Sequence, residues 1–138
     1  MGLIVLDAGV LIGVLDRNDA HHIPATDALR TAEENLAHLA LPVSALAEIL
    51  VGPFRRGPDA AASVDGLLAA LTIDLVVIDG SVAREAASLR AGSGLRLPDA
   101  LVVATAIVIR ADRLLTTDAR WPAAVAARFP GTIEIVGQ

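Results

Sequence analysis

A chain of 138 residues with 54% hydrophobic side chains and a mean hydropathy of +0.62 has apolar material for one domain with a sizeable core, which excludes a disordered tail or linker. Sixteen acidic residues against eleven basic ones leave a net charge of −5, so a nucleic-acid partner would have to be held by local arginines or bound cations. Every basic residue is Arg and there is no Cys, which removes phosphate-loop lysines, Schiff bases, disulfides, cysteine zinc sites and thiol nucleophiles.

The first apolar run, Leu3 to Leu6, reads as a buried strand and ends at Asp7. No basic residue precedes it, so it does not read as a signal peptide, and a cytoplasmic location is expected. Val10 to Arg17 and Pro24 to Asn35 have helical length, and His38 to Leu41 is the second strand. The longest stretch without Asp, Glu, Lys or Arg, Asn35 to Ala47, is shorter than the ~18 apolar residues of a membrane span. A helix over Val43 to Val51 leads into GPFRRGP, Gly52 to Pro58, which reads as a loop. There follow a helix over Asp59 to Leu71, a strand over Ile73 to Ile78, a helix over Ser81 to Ala91 and a second loop, AGSG, over Ala91 to Gly94. Pro98 to Ala111 is the last long helix, and Arg113 to Thr116 and Thr132 to Val136 are the last strands. Strands alternating with helices predict an α/β fold with a mostly parallel sheet. Neither loop is long enough to split the chain, so residues 1–138 are read as one domain.

In such sheets reactive groups collect beyond the carboxyl ends of the strands. Asp7 follows the first strand and Asp118 the fourth, while Glu48 lies in the helix after the second and Asp99 opens the helix begun by Pro98. Three of them stand alone: Asp7 is the only charged residue between Met1 and Leu15, Glu48 between Asn35 and Phe54, and Asp99 between Leu97 and Ile109. Ser44, Ala45, Val51 and Gly52 are the helical neighbours of Glu48, so no ion pair within its helix explains it. An ionised carboxylate in apolar surroundings pairs, neutralises or binds a cation. Four such groups brought together repel one another, by about 4 kcal/mol per pair at 4 Å in an effective dielectric of 20, and a hard divalent ion relieves that repulsion. Oxygen ligands alone favour Mg²⁺ or Mn²⁺ over zinc. Helix capping for Asp99, a turn for Asp118 and a strand-end turn for Asp7 are the competing structural readings.

These residues and their frames, LIVLDAGVLIGVLD, the HH pair at His21 and His22, LPVSALAEIL, LPDALVVATAI and LLTTDARW, resemble the PIN domain, and within it the VapC ribonuclease toxins of toxin-antitoxin pairs. The resemblance covers nearly the whole chain. It implies a three-layer α/β/α fold with a central, mostly parallel five-stranded sheet. It also implies a Mg²⁺- or Mn²⁺-dependent endoribonuclease site made of Asp7, Glu48, Asp99 and Asp118, a homodimer, and inhibition by a cognate VapB-like antitoxin. Thr117 looks like the polar residue that supports the quartet. One departure stands out: the family frequently has a hydroxyl or amide two positions after the first Asp, where this chain has Gly9, so a hydrogen bond to a water on the metal would be missing.

The chemistry that suits such a site is phosphodiester hydrolysis, with the ion activating and orienting water and neutralising phosphate charge. Asp7 and Asp99 are assigned to the principal ion, with Glu48 and Asp118 completing its shell directly or through water. Arg55 and Arg56 are the candidates for phosphate contacts. Trp121 and Phe129 are read as packing residues, and His21 and His22 are given no chemistry. Two other functions compete: a non-catalytic interaction domain of the same fold, and a small-molecule phosphohydrolase with Asp7 as nucleophile, which would want a Lys that this chain lacks.

Overall fold

The computed structural model describes residues 2–138. Five strands are present, β1 (Leu3–Leu6), β2 (His38–Pro42), β3 (Ile73–Val76), β4 (Arg113–Thr116) and β5 (Thr132–Ile135). All pairs are parallel, in the order β3-β2-β1-β4-β5. Parallel neighbours need crossovers, and helices supply them. α1 (Ala8–Leu15) and α2 (His22–Glu34) join β1 to β2, while α3 (Val43–Arg56) and α4 (Pro58–Ala70) join β2 to β3. α5 (Gly80–Ser93) and α6 (Leu97–Val108) carry the chain back across the sheet to β4, and α7 (Ala123–Arg128) connects β4 to β5.

Right-handed crossovers put connections that run in opposite directions on opposite faces. The helix contacts agree: α1 packs on α2 and α3, and α3 on α4, while α5 packs on α6 and α7. The result is three layers, α/β/α. The central strands are buried on both faces, as their unbroken apolar sequence requires: Ile4, Val5 and Leu6 of β1 and Leu114 and Leu115 of β4 are all shielded from solvent. Phe129 is in the core and Trp121 packs against it, as read from sequence.

The two predicted loops are mostly helix. α3 runs past Val51 and through Pro53 to Arg56, leaving Gly57 as the only residue before α4. Proline inside a helix costs a hydrogen bond to the carbonyl four residues back, and here the ring is buried. In the second case α5 continues to Ser93, and Gly94 alone ends it in the left-handed conformation. No described helix is long and apolar enough to cross a membrane.

The direction of strand addition reverses between β1 and β4, since β2 and β3 extend one side of β1 and β4 and β5 the other. Strand order therefore opens a crevice beyond the carboxyl ends of β1 and β4. Both central strands end there in polar residues, Asp7 after β1 and Thr116, Thr117 and Asp118 at the end of β4.

Candidate active site

Asp7 is anchored from both sides. It caps the N-terminus of α1 by accepting the Ala8 N–H on Oδ1 at 2.8 Å, and Oδ2 accepts the hydroxyl of Thr116 at 2.7 Å. Its own N–H donates to the Leu115 carbonyl, which ties it to β4. With both carboxyl oxygens engaged and the group 7% exposed, Asp7 is fixed as a ligand would be and is poorly placed for in-line attack as a nucleophile. Thr116, fully buried, also accepts the N–H of Asp118 on its hydroxyl at 3.1 Å, so one threonine sets the positions of two acids.

Thr117, the residue expected in that supporting role, lines the cleft beside the four acids and packs over α1. A side-chain carbon built on Gly9 would lie 2.2 Å from the Thr117 hydroxyl, so that hydroxyl fills the space above Gly9. The apparent departure at Gly9 is thereby explained sterically: the oxygen at this point of the cleft comes from Thr117, just after β4, instead of from α1, and glycine is what admits it.

Glu48 reaches the same cleft from α3, which touches α6 as well as α1, and Asp99 enters from the first turn of α6. A cleft of about 550 Å³ is lined by Asp7, Gly9, Glu48, Asp99, Thr117 and Asp118, among others. The sequence-predicted quartet is therefore brought together. Electrostatics report the same proximity. Burial pushes the Asp7 carboxyl above its ordinary range, and Asp99 and Asp118 add to the rise against the opposing hydrogen bonds from Thr116 and Ala8. Glu48 is raised by desolvation and then by Asp7 and Asp99. Asp99 is raised by desolvation and by Asp118, with Arg96, Trp121 and Arg120 pulling the other way. For Asp118 desolvation is outweighed by Arg120, whose backbone N–H donates to Oδ1 at 2.8 Å and whose Nε donates to it at 3.2 Å, so its pKa is lowered.

Among the described residues, no three His, Asp or Glu side chains stand close enough to ligate one ion by themselves. The donor set fits a hydrated Mg²⁺ or Mn²⁺ better than a dehydrated cage, because Mg²⁺ keeps several waters and takes only one or two protein carboxylates directly. One buried polar atom without a hydrogen-bond partner borders the acids, Trp121 Nε1, which faces Asp99 but lies outside hydrogen-bond geometry. An unpartnered buried group beside a carboxylate cluster is what water on an ion would satisfy.

Arg55 and Arg56, the candidates for phosphate contacts, form the last turn of α3 and do not line this cleft, but Arg56 lines an adjoining groove that shares Ile12 and Glu48 with it. The arginines that do line the cleft are Arg96 and Arg120. Each lies two or three residues from a quartet acid, but nothing in the sequence shows that its side chain reaches the cleft. His21 also lines the cleft, at the start of α2, and the neighbouring His22 ring bonds the Gly13 carbonyl at 2.8 Å.

The sequence matches the PIN domain family over residues 4–127. The chain belongs to the PIN domain family. Solved structures of the same fold include a toxin-antitoxin complex from Klebsiella pneumoniae, with 24% identity and a TM-score of 0.75 over 95% of this chain and 96% of that one. VapBC2 from Rickettsia felis, bound to a DNA fragment from its promoter, is 16% identical with a TM-score of 0.73 over 97% and 98% of the two chains. The sarcin-ricin loop cleaving toxin VapC20 of Mycobacterium tuberculosis is 16% identical with a TM-score of 0.69 over 90% and 93%. No curated protein sequence matches this PIN domain.

Proposed function

We propose that this PIN domain is a Mg²⁺- or Mn²⁺-dependent endoribonuclease, the toxin of a toxin-antitoxin pair that a cognate antitoxin holds inactive. The observation that carries the reading is the convergence of Asp7, Glu48, Asp99 and Asp118, from four separate segments, at the switch point of the sheet. Full-length likeness to structures described as toxin-antitoxin complexes supports the biological setting.

When bound, a divalent cation supplies Lewis acidity toward the phosphate and lowers the pKa of water. The protein's own groups do the rest. Asp7, held by Thr116 and Ala8, and Asp99, on the rigid first turn of α6, keep their carboxylates in place without reorganisation. Glu48, more exposed and raised in pKa, is suited to take a proton from the attacking water. Asp118, kept ionised by Arg120, contributes negative charge at the cleft floor across the working pH range.

Purified protein freed of any partner should cut single-stranded RNA in Mg²⁺ or Mn²⁺ and stop in a chelator. Asp99→Asn, which keeps the shape and removes the charge, should lower cleavage by roughly tenfold or more. Full cleavage by that variant, undiminished cleavage in chelator, or no cleavage of any RNA by the parent protein would overturn the proposal.

A further inference from the structure

Beyond Asp99 and Asp118 the acid cleft continues into a smaller groove of about 300 Å³, whose apolar lining is Leu95, Trp121 and Pro122. Two arginines line both the cleft and the groove: Arg96, at the N-cap of α6, and Arg120, in the connection from β4 to α7. Both leave most of their guanidinium donors uncommitted. Arg96 is 79% exposed, and its Nε is 3.8 Å from Asp99 Oδ2, beyond hydrogen-bond distance. Arg120 is 87% exposed, and its side chain makes one bond, from Nε to Asp118 Oδ1. Their remaining guanidinium N–H groups have no partners among the described residues. Arg30, Arg90, Arg113 and Arg128 are committed to partners; what sets Arg96 and Arg120 apart from the other unpaired arginines is that they line the acid cleft.

Charge balance says what the pair is for. A −5 protein repels a polyanion, and the cleft concentrates four carboxylates. Two guanidiniums together with one divalent cation would bring the cleft near neutrality, so that a phosphodiester could enter. Guanidinium forks match phosphate oxygens in pairs of hydrogen bonds. The groove is too small for a duplex, and its apolar lining suits the sugar and base face of one strand.

We propose that Arg96 and Arg120 form a clamp over this groove that takes the backbone phosphates next to the cleaved bond of single-stranded RNA. The clamp rests on the nuclease reading above, and its test separates the two. Affinity for a fluorescently labelled single-stranded RNA oligomer is measured by anisotropy across a salt series, with Ca²⁺ replacing Mg²⁺ to suppress turnover. Parallel thermal melts give the Mn²⁺ concentration needed for half-maximal stabilisation. Arg96→Gln and Arg120→Gln should each weaken RNA binding and flatten the slope of log affinity against log salt by about 0.7, with about 1.4 for the double variant. Arg→Lys should restore the slope. The Mn²⁺ midpoint of the double variant should stay the same or fall, because positive charges beside the carboxylates compete with the ion. Parent-like RNA affinity and slope in the double variant, as expected if the arginines only neutralise the acids or hold the antitoxin, would overturn the clamp and leave the nuclease reading intact. A loss of RNA affinity accompanied by a raised Mn²⁺ midpoint would also overturn it, since the arginines would then act through the cation site. A parent protein that neither binds nor cuts RNA would overturn both.

Discussion

Asp7 and Asp112 stand at opposite ends of the same central strands, and both are bonded to backbone. Asp112 accepts the Leu3 N–H on its carboxylate at 2.8 Å, while its own backbone N–H bonds the Leu3 carbonyl and its carbonyl accepts from Thr132. It links the starts of β1, β4 and β5, and that accounts for it. A cavity of about 590 Å³ lies at this end beside Arg110 and Phe129, yet Asp112 is its only acid. The cleft at the Asp7 end is of similar size, and three more carboxylates enter it. Convergent charge that the fold does not itself neutralise, not cavity size, separates a site from a packing defect.

The glycines at the two ends sharpen the contrast. A side-chain carbon on Gly131 would fall 2.5 Å from the Asp112 carbonyl, 2.6 Å from the Phe129 ring and 2.9 Å from the Ala111 carbonyl, whereas on Gly9 it would meet the rotatable Thr117 hydroxyl. Gly131→Ala should therefore cost about 3 kcal/mol, measured by denaturant unfolding, and Gly9→Ala only about 1 kcal/mol. Adding Thr117→Ala should recover most of the Gly9→Ala loss. Equal costs at the two glycines, or additive costs in the double variant, would break the comparison.

Next in size is Thr116→Val, which keeps the shape but withdraws the hydroxyl from the Asp7 carboxylate and the Asp118 N–H. It should cost about 2 kcal/mol at neutral pH and raise the pKa of Asp7 further, a shift that NMR titration of the carboxyl carbon would follow. An unchanged Asp7 titration would contradict the account.

The smallest effect is on pH dependence without metal. Asp7, Glu48 and Asp99 are all shifted upward, so the native state binds protons more readily than the unfolded chain. Their contribution therefore becomes more favourable as pH falls from neutrality through the raised values, and is complete below the ordinary carboxylate range. Asp118, shifted downward, opposes this only at lower pH, where its contribution is lost. The melting temperature in chelator should rise between neutrality and about pH 5. A fall over that interval would mean that burial and mutual repulsion do not raise these acids as described.

Much of this was legible in the sequence. The five strands and the quartet announced themselves because buried parallel strands are continuous apolar runs, and because an acid within such a frame needs a reason. What was not legible depended on tertiary packing. Pro53 and the Gly-rich segments carry strong breaker signals, which packing of α3 and continuation of α5 override. α7 is six residues long, too short for a periodic pattern, and was not anticipated. Thr116 and Thr117 are adjacent with identical side chains, and only the end of β4 between them decides which faces Asp7 and which covers Gly9. Arg96 and Arg120 matter through what lies across from them, which spacing alone does not reveal.

The proposed divalent-cation site lies among the acids at the carboxyl end of the sheet and not at its amino end. The direct measurement is the Mn²⁺-induced rise in melting temperature at neutral pH for the parent, Asp99→Asn and Asp112→Asn. A cation bound to the native state alone at 100 times its Kd adds about 2.7 kcal/mol. That increment should be kept in Asp112→Asn and largely lost in Asp99→Asn. The same increment in both variants, or none in the parent at millimolar Mn²⁺, would contradict the account.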